Sequence, residues 1–107
     1  MTLRELQKAS ATWDAHNFPK ATPHQPLLGM CEEVGELCHA HLKAEQGIRG
    51  TPEEHFHAKC DALGDLFKFA AHYANSQGID LEMAITQMWS EVSQRDWIKY
   101  PKNGTTE

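Results

Sequence analysis

The chain of 107 residues carries 15 acidic and 10 basic side chains, which gives a net charge of −5 at neutral pH. This length suits one compact domain, and the acidic balance argues against broad electrostatic binding to nucleic acid, which needs clustered lysine and arginine. No apolar run approaches the roughly 18 residues of a membrane-spanning helix, and the first six residues, MTLREL, lack the apolar centre of a signal peptide. We therefore expect a single soluble, cytoplasmic domain over residues 1–107, with no nucleic-acid or membrane partner and with residues 103–107 as a frayed tail.

Four segments repeat apolar residues at helical spacing, whereas no segment alternates with the period of two that is typical of strands. The first helix is predicted over about residues 2–15 and ends before HNFPKATPHQP, whose X-Pro steps disfavour helix. The second is predicted over about residues 25–45 and ends in the glycine-containing segment QGIRG. The pattern predicts an all-α fold.

The third and fourth helices carry sequence signals for their ends. Thr51 is placed as an N-cap, Pro52 occupies the first helical position, and Glu54 is placed to complete a capping box. Gly78 is expected to form the C-cap of this third helix, and Asp80 is expected to cap the fourth.

A rotation of about 100° per residue places the apolar residues of the second helix on one stripe, which we expect to face the core. Glu33 and Glu36 fall on one border of this stripe, and Glu32 falls on the far side. Because the three cysteines are odd in number and lie at apolar positions, they are expected to be core residues rather than disulfides. The stripe consists of Leu27, Met30, Cys31, Val34, Leu37, Cys38 and His41.

The third helix repeats this construction. A second apolar flank, which includes Ala62 and Phe69, lies beside its main stripe, and Asp61 and Asp65 lie at the outer edge of that flank. The main stripe consists of Phe56, Cys60, Leu63, Phe67, Ala70 and Ala74.

Four carboxylates that two packed helices bring together would repel one another and lose hydration unless a cation neutralised them. Oxygen ligands suit hard cations such as Mg²⁺ or Mn²⁺. The alternative is an ordinary solvated face, in which Lys68 pairs with Asp65, and His39 or His41 pairs with Glu36. Glu33 has no cation within reach along its own helix.

The acids resemble those of the MazG-like all-α nucleoside triphosphate pyrophosphohydrolases, whose pattern is Glu-Glu-x-x-Glu on one helix and Glu-x-x-Asp on the next. The first half is intact as EEVGE, residues 32–36, and the likeness extends over roughly residues 13–100, including the segment GIDLE. In the second half Asp65 matches the final Asp, but Ala62 stands where the family has Glu, and Asp61 is the nearest acid.

This resemblance implies a four-helix MazG-like bundle that is completed by forming a homo-dimer or homo-tetramer. It implies hydrolysis of a nucleoside triphosphate to the monophosphate and pyrophosphate, as in nucleotide-pool housecleaning. Mg²⁺, or Mn²⁺, would be held by Glu33, Glu36 and Asp65 with Asp61 in support, and the candidate catalytic residues are Glu32 and Glu33. Glu32 is a candidate general base, and its alternative is an exposed or supporting residue.

Phosphate contacts are expected from the C-terminal segment. Lys99 and Tyr100 resemble a Lys-Tyr-Pro stretch near the C-terminus of dCTP pyrophosphatases, which implies phosphate contact and closure over the site. Arg95 is a second candidate cation, with a surface position in the last helical turn as the alternative.

Base contacts are expected from aromatic and amide side chains. Trp13, Phe18 and Trp89 are candidate stacking partners, although core packing suits both tryptophans better. Asn17 and Asn75 are candidates for contact with the base or phosphate, or are helix-end residues. A different class of function is also open, because Ala62 would suit a non-catalytic helical module that has kept the fold and lost activity.

Overall fold

A computed structural model of the chain describes residues 1–106. This part of the chain forms four helices: α1 (Leu3–Asn17), α2 (His24–Gln46), α3 (Pro52–Gln77) and α4 (Leu81–Val92). It contains no strand, which confirms the all-α prediction. None of the helices within residues 1–106 combines the length and apolar character needed to cross a membrane.

The predicted helix ends are confirmed. The Thr51 hydroxyl accepts a hydrogen bond from the Glu54 amide at 3.1 Å, and the Glu54 carboxylate accepts one from the Thr51 amide at 3.1 Å. Gly78 ends α3 with a left-handed φ of 66°. The Asp80 carboxylate accepts a hydrogen bond from the Met83 amide at 3.1 Å and so caps α4. These signals act over a few residues, which is why the sequence alone reveals them.

Helices α2 and α3 form an antiparallel hairpin that packs through small residues. Gly29 lies directly under the ring of Phe69, since a Cβ at Gly29 would come within 2.5 Å of two ring carbons. Ala40 on α2 and Ala62 on α3 are also buried. Small side chains on both helices allow the two backbones to approach closely, and Glu33 is buried along the same face of α2.

The apolar stripes that were expected to form the core are largely exposed in the single chain. Val34, at the centre of the α2 stripe, is 46% exposed, and Leu63, at the centre of the α3 stripe, is equally open. The prediction of the buried face was therefore wrong, because a wide apolar arc does not reveal which part of it meets the neighbouring helix. The exposed members are Leu27, Cys31, Val34, Cys38 and His41 on α2, and Phe56, Cys60, Leu63 and Phe67 on α3.

Helices α1 and α4 flank the hairpin on the side of α3. Arg4 of α1 forms ion pairs with Asp80 at 3.0 Å and with Glu82 at 2.8 Å, which join α1 to the start of α4. The residues of α1 that are buried are Ser10 and Asp14, both polar. Their burial calls for partners, which α3 supplies for Asp14.

The segment after α4 folds into turns. The Gly104 carbonyl accepts a hydrogen bond from the Asp96 amide at 2.8 Å, and the Asn103 side chain accepts bonds from the amides of Thr105 and Thr106. Residues 103–106, which were expected to form a frayed tail, thus make defined hydrogen bonds. Glu107 belonged to the same expectation and lies outside the described residues.

Candidate metal centre

Three glutamates of α2 bring their carboxylates together. One oxygen from each of Glu32, Glu33 and Glu36 can be chosen so that all three lie within 4.8 Å of one another. Glu32 was expected on the far side of the helix, but its carboxylate lies with those of Glu33 and Glu36, so this expectation was wrong. Glu32 and Glu36 are four residues apart and are neighbours on the helix surface.

Glu33 is the buried member of this group, with 5% of its surface exposed. Its Oε2 atom makes no hydrogen bond to any group within residues 1–106. Burial, a hydrogen bond with Glu36 and the negative charges of Glu36, Asp65 and Glu32 raise the pKa of Glu33 from its ordinary value of 4.5 to about 7. A buried carboxylate with an unpartnered oxygen beside other acids is an arrangement that a cation stabilises.

The two predicted ligands of α3 differ in their surroundings. Asp65 lies close enough to Glu33 for its charge to raise the pKa of that residue. Asp61 is not among the charges that raise the pKa of Glu33; its carboxylate lies 3.3 Å from His57 Nε2, and its side chain is 63% exposed. Neither aspartate belongs to the group of oxygens within 4.8 Å of one another. Ala62, where the resembled family has Glu, is buried in the helix hairpin.

Two of the three side chains that were considered as partners for these acids pair with other groups, and the third, His39, forms no ion pair within residues 1–106. Lys68 donates a hydrogen bond of 2.8 Å to Asp14, and His41 pairs with Glu45 at 3.1 Å. Ordinary neutralisation of Asp65 by Lys68 and of Glu36 by His41 is therefore not what the structure shows.

Asp14 is a buried carboxylate with a full set of partners. It accepts hydrogen bonds from the Ser10 hydroxyl at 2.7 Å and from Lys68, and His72 Nδ1 lies 3.6 Å away. Burial raises the pKa of Asp14, but the hydrogen bonds from Lys68 and Ser10 and the nearby positive charge outweigh it, and the net pKa is below its usual range. Asp14 is therefore an ionised structural group, in contrast to Glu33.

A cavity of about 380 Å³, the aromatic cavity, opens beside the acids. Trp13 and Phe18 form one wall, with ring centroids 5.7 Å apart in an edge-on arrangement, and Glu33 and Asp65 also line it. Trp13 is 51% exposed, so the core interpretation of this residue was wrong. Its other lining residues are Asp14, Gln25, Pro26, Lys68, Phe69 and His72.

A second cavity of about 500 Å³, the polar cavity, runs between α2 and α3 towards their connection. Asp65 lines both cavities, so the acids lie where the two spaces meet. The polar cavity also contains two cations, Lys43 and Arg49, that the sequence did not single out. Its remaining lining residues are Glu36, His39, Ala40, Glu54, His55, Ala58 and Asp61.

The predicted amide ligands have structural hydrogen bonds. Asn17 donates to the Trp13 carbonyl at 3.0 Å in the last turn of α1, and Asn75 donates to the Gln7 carbonyl at 2.9 Å and so links α3 to α1. Trp89 is exposed on α4, so its core interpretation was also wrong for the single chain.

The predicted C-terminal ligands lie outside the two cavities. Arg95, Lys99 and Tyr100 line neither of them, and Lys99 Nζ lies 5.2 Å from the centroid of the Tyr100 ring. A single chain therefore does not bring these three side chains to the acids.

Sequence reasoning missed Lys43, Arg49 and Asp14, and Asp14 is the partner of Lys68. Asp14 and Lys68 are 54 residues apart, and no local pattern could have paired them. Lys43 and Arg49 come seven and 13 residues after the end of the EEVGE motif, and this closeness in sequence was the available signal. In comparisons with known proteins, the chain matches no family model, no curated protein and no solved structure.

Proposed function

We propose that the chain is a MazG-like, metal-dependent nucleoside triphosphate pyrophosphohydrolase that cleaves a (d)NTP to the (d)NMP and pyrophosphate. One observation carries this proposal: Glu33 is buried beside three other acids in the wall of the aromatic cavity, and its Oε2 atom has no hydrogen-bond partner within residues 1–106. Structural carboxylates are normally satisfied, as Asp14 is. The exception at Glu33 marks a group that is available to a ligand.

The donor set fits a hard divalent cation. Glu33, Glu36 and Asp65 would hold Mg²⁺ or Mn²⁺, with Glu32 and Asp61 as further carboxylates nearby. When bound, such an ion neutralises phosphate charge and lowers the pKa of a coordinated water. Since the pKa of Glu33 is about 7, this residue loses its proton as a cation binds near neutral pH.

The two cavities suit the two ends of a nucleoside triphosphate. Trp13 and Phe18 offer aromatic surface for stacking a base in the aromatic cavity, and the polar cavity offers Lys43 and Arg49 to phosphates. The acids lie between these spaces, and Asp65 lines both. A substrate laid across them has its α-phosphate near the acids, which supports cleavage between the α- and β-phosphates.

Glu32 is the best-placed general base among these residues. It is exposed, so water reaches it, and its carboxylate lies within the group formed with Glu33 and Glu36. An exposed glutamate close to two other acids can accept a proton from the attacking water. Glu33 then serves mainly in binding the cation.

The exposed apolar stripes of α2 and α3 support assembly into a homo-dimer or homo-tetramer. Several large side chains on this surface are close to half exposed, including Val34, Leu63 and Phe67. An apolar surface shared by two long helices suits a self-complementary contact with a second copy. We place the enzyme in the cytoplasm, where the three free cysteines stay reduced, with nucleotide-pool housecleaning as its role.

A non-catalytic nucleotide-binding module is the second candidate. It is favoured by the α3 half of the site, where Ala62 is buried and the Asp61 carboxylate lies against His57. Such a module would bind nucleotide with the same cavities and release no pyrophosphate.

The test is pyrophosphate release from a panel of ribo- and deoxyribonucleoside triphosphates with Mg²⁺ or Mn²⁺. We expect release by the unmutated chain and its loss in Glu33→Gln, which keeps the shape of the side chain and removes its charge. Glu45→Gln is the matched control, because Glu45 is an exposed glutamate of α2 that lines neither cavity. Nucleotide binding without any pyrophosphate release would favour the non-catalytic module instead.

A further inference from the structure

Arg49 has a backbone conformation that L-residues rarely adopt. It lies in the connection between α2 and α3 with a φ of 63°, and it is the one non-glycine residue with positive φ within residues 1–106. Its neighbours Gly47 and Gly50 also have positive φ, which is common for glycine. Glycine adopts this conformation without strain, so the arginine side chain occupies position 49 at a cost in backbone strain.

The backbone that precedes Arg49 is held by two hydrogen bonds at Ile48. The Ile48 carbonyl is bonded to His55 Nε2 at 3.0 Å, and the Ile48 amide donates to the Lys43 carbonyl at 3.2 Å. His55 is itself buried against the connection. A strained residue persists when its surroundings determine its conformation in this way, and such residues concentrate at functional sites.

The side chain of Arg49 lines the polar cavity near its connection end, while Glu36 and Asp65 line it further along the hairpin. Within the described chain, the guanidinium forms no ion pair within 4.0 Å, although four carboxylate residues line the same cavity. Within residues 1–106 Lys43 also has no carboxylate partner, and it donates a hydrogen bond of 2.9 Å to the neutral Gln46 side chain. Two unpaired cations therefore share this cavity with the acids.

Two cations near the connection, with Glu36 and Asp65 further along the hairpin, suit a ligand that carries negative charge to the cations and shares a metal ion with these acids. Glu54 also lines the connection end, where its carboxylate accepts a hydrogen bond from the Thr51 amide. The terminal phosphates of a nucleoside triphosphate have this chemistry. The planar guanidinium can donate two parallel hydrogen bonds to phosphate oxygens.

We propose that Arg49, assisted by Lys43, binds the β- and γ-phosphates of the substrate and makes the site selective for triphosphates over monophosphates. This inference rests on the proposed function and assigns the pyrophosphate leaving group to the polar cavity. Arg49 is a binding residue in this scheme and takes no part in proton transfer.

The experiment compares the full chain with Arg49→Gly, Arg49→Lys and Lys8→Gln. Arg49→Gly removes the side chain and suits the positive φ, so it should fold at least as readily as the unmutated chain. Lys8→Gln removes one positive charge from α1 at a residue that lines neither cavity. Binding of inorganic pyrophosphate with Mg²⁺ is measured by calorimetry, and KM for a triphosphate is measured by pyrophosphate release.

We expect Arg49→Gly to weaken pyrophosphate binding and raise KM by roughly 10-fold to 100-fold, the range of a charge-assisted hydrogen bond. Arg49→Lys should have a smaller effect on pyrophosphate binding and on KM, since lysine keeps the charge but cannot donate two parallel hydrogen bonds. Binding of the nucleoside monophosphate should stay unchanged in both variants, and Lys8→Gln should resemble the unmutated chain throughout.

Unchanged pyrophosphate binding in Arg49→Gly would overturn the inference, as would equal losses of monophosphate and pyrophosphate binding or no pyrophosphate binding by the unmutated chain. The two proposals can fail separately. If Arg49→Gly turns over a triphosphate with an unchanged KM, the proposed role of Arg49 is wrong and the proposed enzyme activity still stands. If pyrophosphate binding depends on Arg49 but no triphosphate is turned over, the phosphate site is supported and the proposed enzyme activity is wrong.

Discussion

Lys68 of α3 donates a hydrogen bond of 2.8 Å to the buried carboxylate of Asp14 in α1. This contact takes Lys68 away from Asp65, the acid three residues before it on the same helix. Lys68 Nζ also lies 5.0 Å from the centroid of the Trp13 ring, which places the cation against the aromatic wall of the cavity. The pair thus satisfies one buried acid and leaves the acids around Glu33 without a lysine.

The Asp14–Lys68 pair should contribute to stability. Lys68→Met leaves Asp14 ionised and buried with Ser10 as its remaining close donor, and we expect it to lower the free energy of unfolding by about 1–3 kcal/mol. The measurement is urea denaturation at pH 7, with Lys8→Met as an exposed control. The double variant Asp14→Asn with Lys68→Met should lose less than the sum of the single changes. Additive losses would show that the two side chains are not coupled.

Glu33 should make the metal-free chain less stable as the pH rises. The folded chain keeps a proton on Glu33 up to a pKa of about 7, whereas the unfolded chain loses it near the ordinary value of 4.5. Between these values the folded state binds more protons, so the free energy of unfolding contributed by this group falls with increasing pH. Glu33→Gln removes this contribution, and its stability relative to the unmutated chain should increase from pH 5 to pH 8.

Urea denaturation in the presence of a chelator measures this difference at each pH. Glu45→Gln serves as the control, because Glu45 is exposed on the same helix. Parallel pH profiles for Glu33→Gln and the unmutated chain would contradict a raised pKa at Glu33.

Mg²⁺ or Mn²⁺ should raise the melting temperature of the unmutated chain, because a ligand that binds the folded state stabilises it. The rise should be lost in Glu33→Gln and reduced in Asp65→Asn, and it should be larger at pH 8 than at pH 6 because the cation displaces the Glu33 proton. Differential scanning fluorimetry across a metal titration provides the measurement. A metal-induced shift that survives Glu33→Gln would place the cation elsewhere.

Gly29 and Gly35 should respond in opposite directions to alanine. A Cβ at Gly29 would lie 2.5 Å from the Phe69 ring, whereas a Cβ at Gly35 has no neighbour within 4 Å. Gly29→Ala should therefore destabilise the chain by about 1–3 kcal/mol through overpacking. Gly35→Ala should stabilise it by up to about 1 kcal/mol through helix propensity. Thermal and urea unfolding of both variants test this pair, and equal effects would argue against the close α2–α3 packing.

The exposed apolar stripes should hold copies of the chain together. Phe67→Glu places a charge on the α3 stripe, and we expect it to convert a dimer or tetramer to monomers in sedimentation equilibrium. Ile98→Lys is the control, since Ile98 is exposed in the segment after α4. If the unmutated chain sediments as a monomer at high concentration, assembly through this surface is contradicted.

The sequence by itself determined the helical architecture and the local ends of the helices. Thr51 with Glu54, Gly78 and Asp80 act through hydrogen bonds or backbone preferences that span a few residues, and the structure confirms each of them. The spacing of three residues also placed Glu33 and Glu36 side by side, as the structure has them, whereas Glu32 was expected on the far side and its carboxylate lies with the other two.

Tertiary structure decided which face of each helix is buried. Small residues such as Gly29 and Ala62 allow α2 and α3 to meet along the side that carries Glu33, and this contact leaves Val34 and Leu63 exposed. The breadth of the apolar arcs made several packing directions compatible with the same pattern. Close backbone approach is a property of two facing surfaces and cannot be obtained from the period of one helix.

Tertiary structure also decided the partners of the charged residues. Lys68 is satisfied by Asp14, which is remote in sequence, whereas Glu33 keeps an unpartnered oxygen beside Glu36. Spacing along a helix identifies the acids, but burial and neighbouring charge depend on residues that folding brings from other helices. The physical reason is that desolvation and Coulomb interactions depend on distance in space, which sequence separation does not determine.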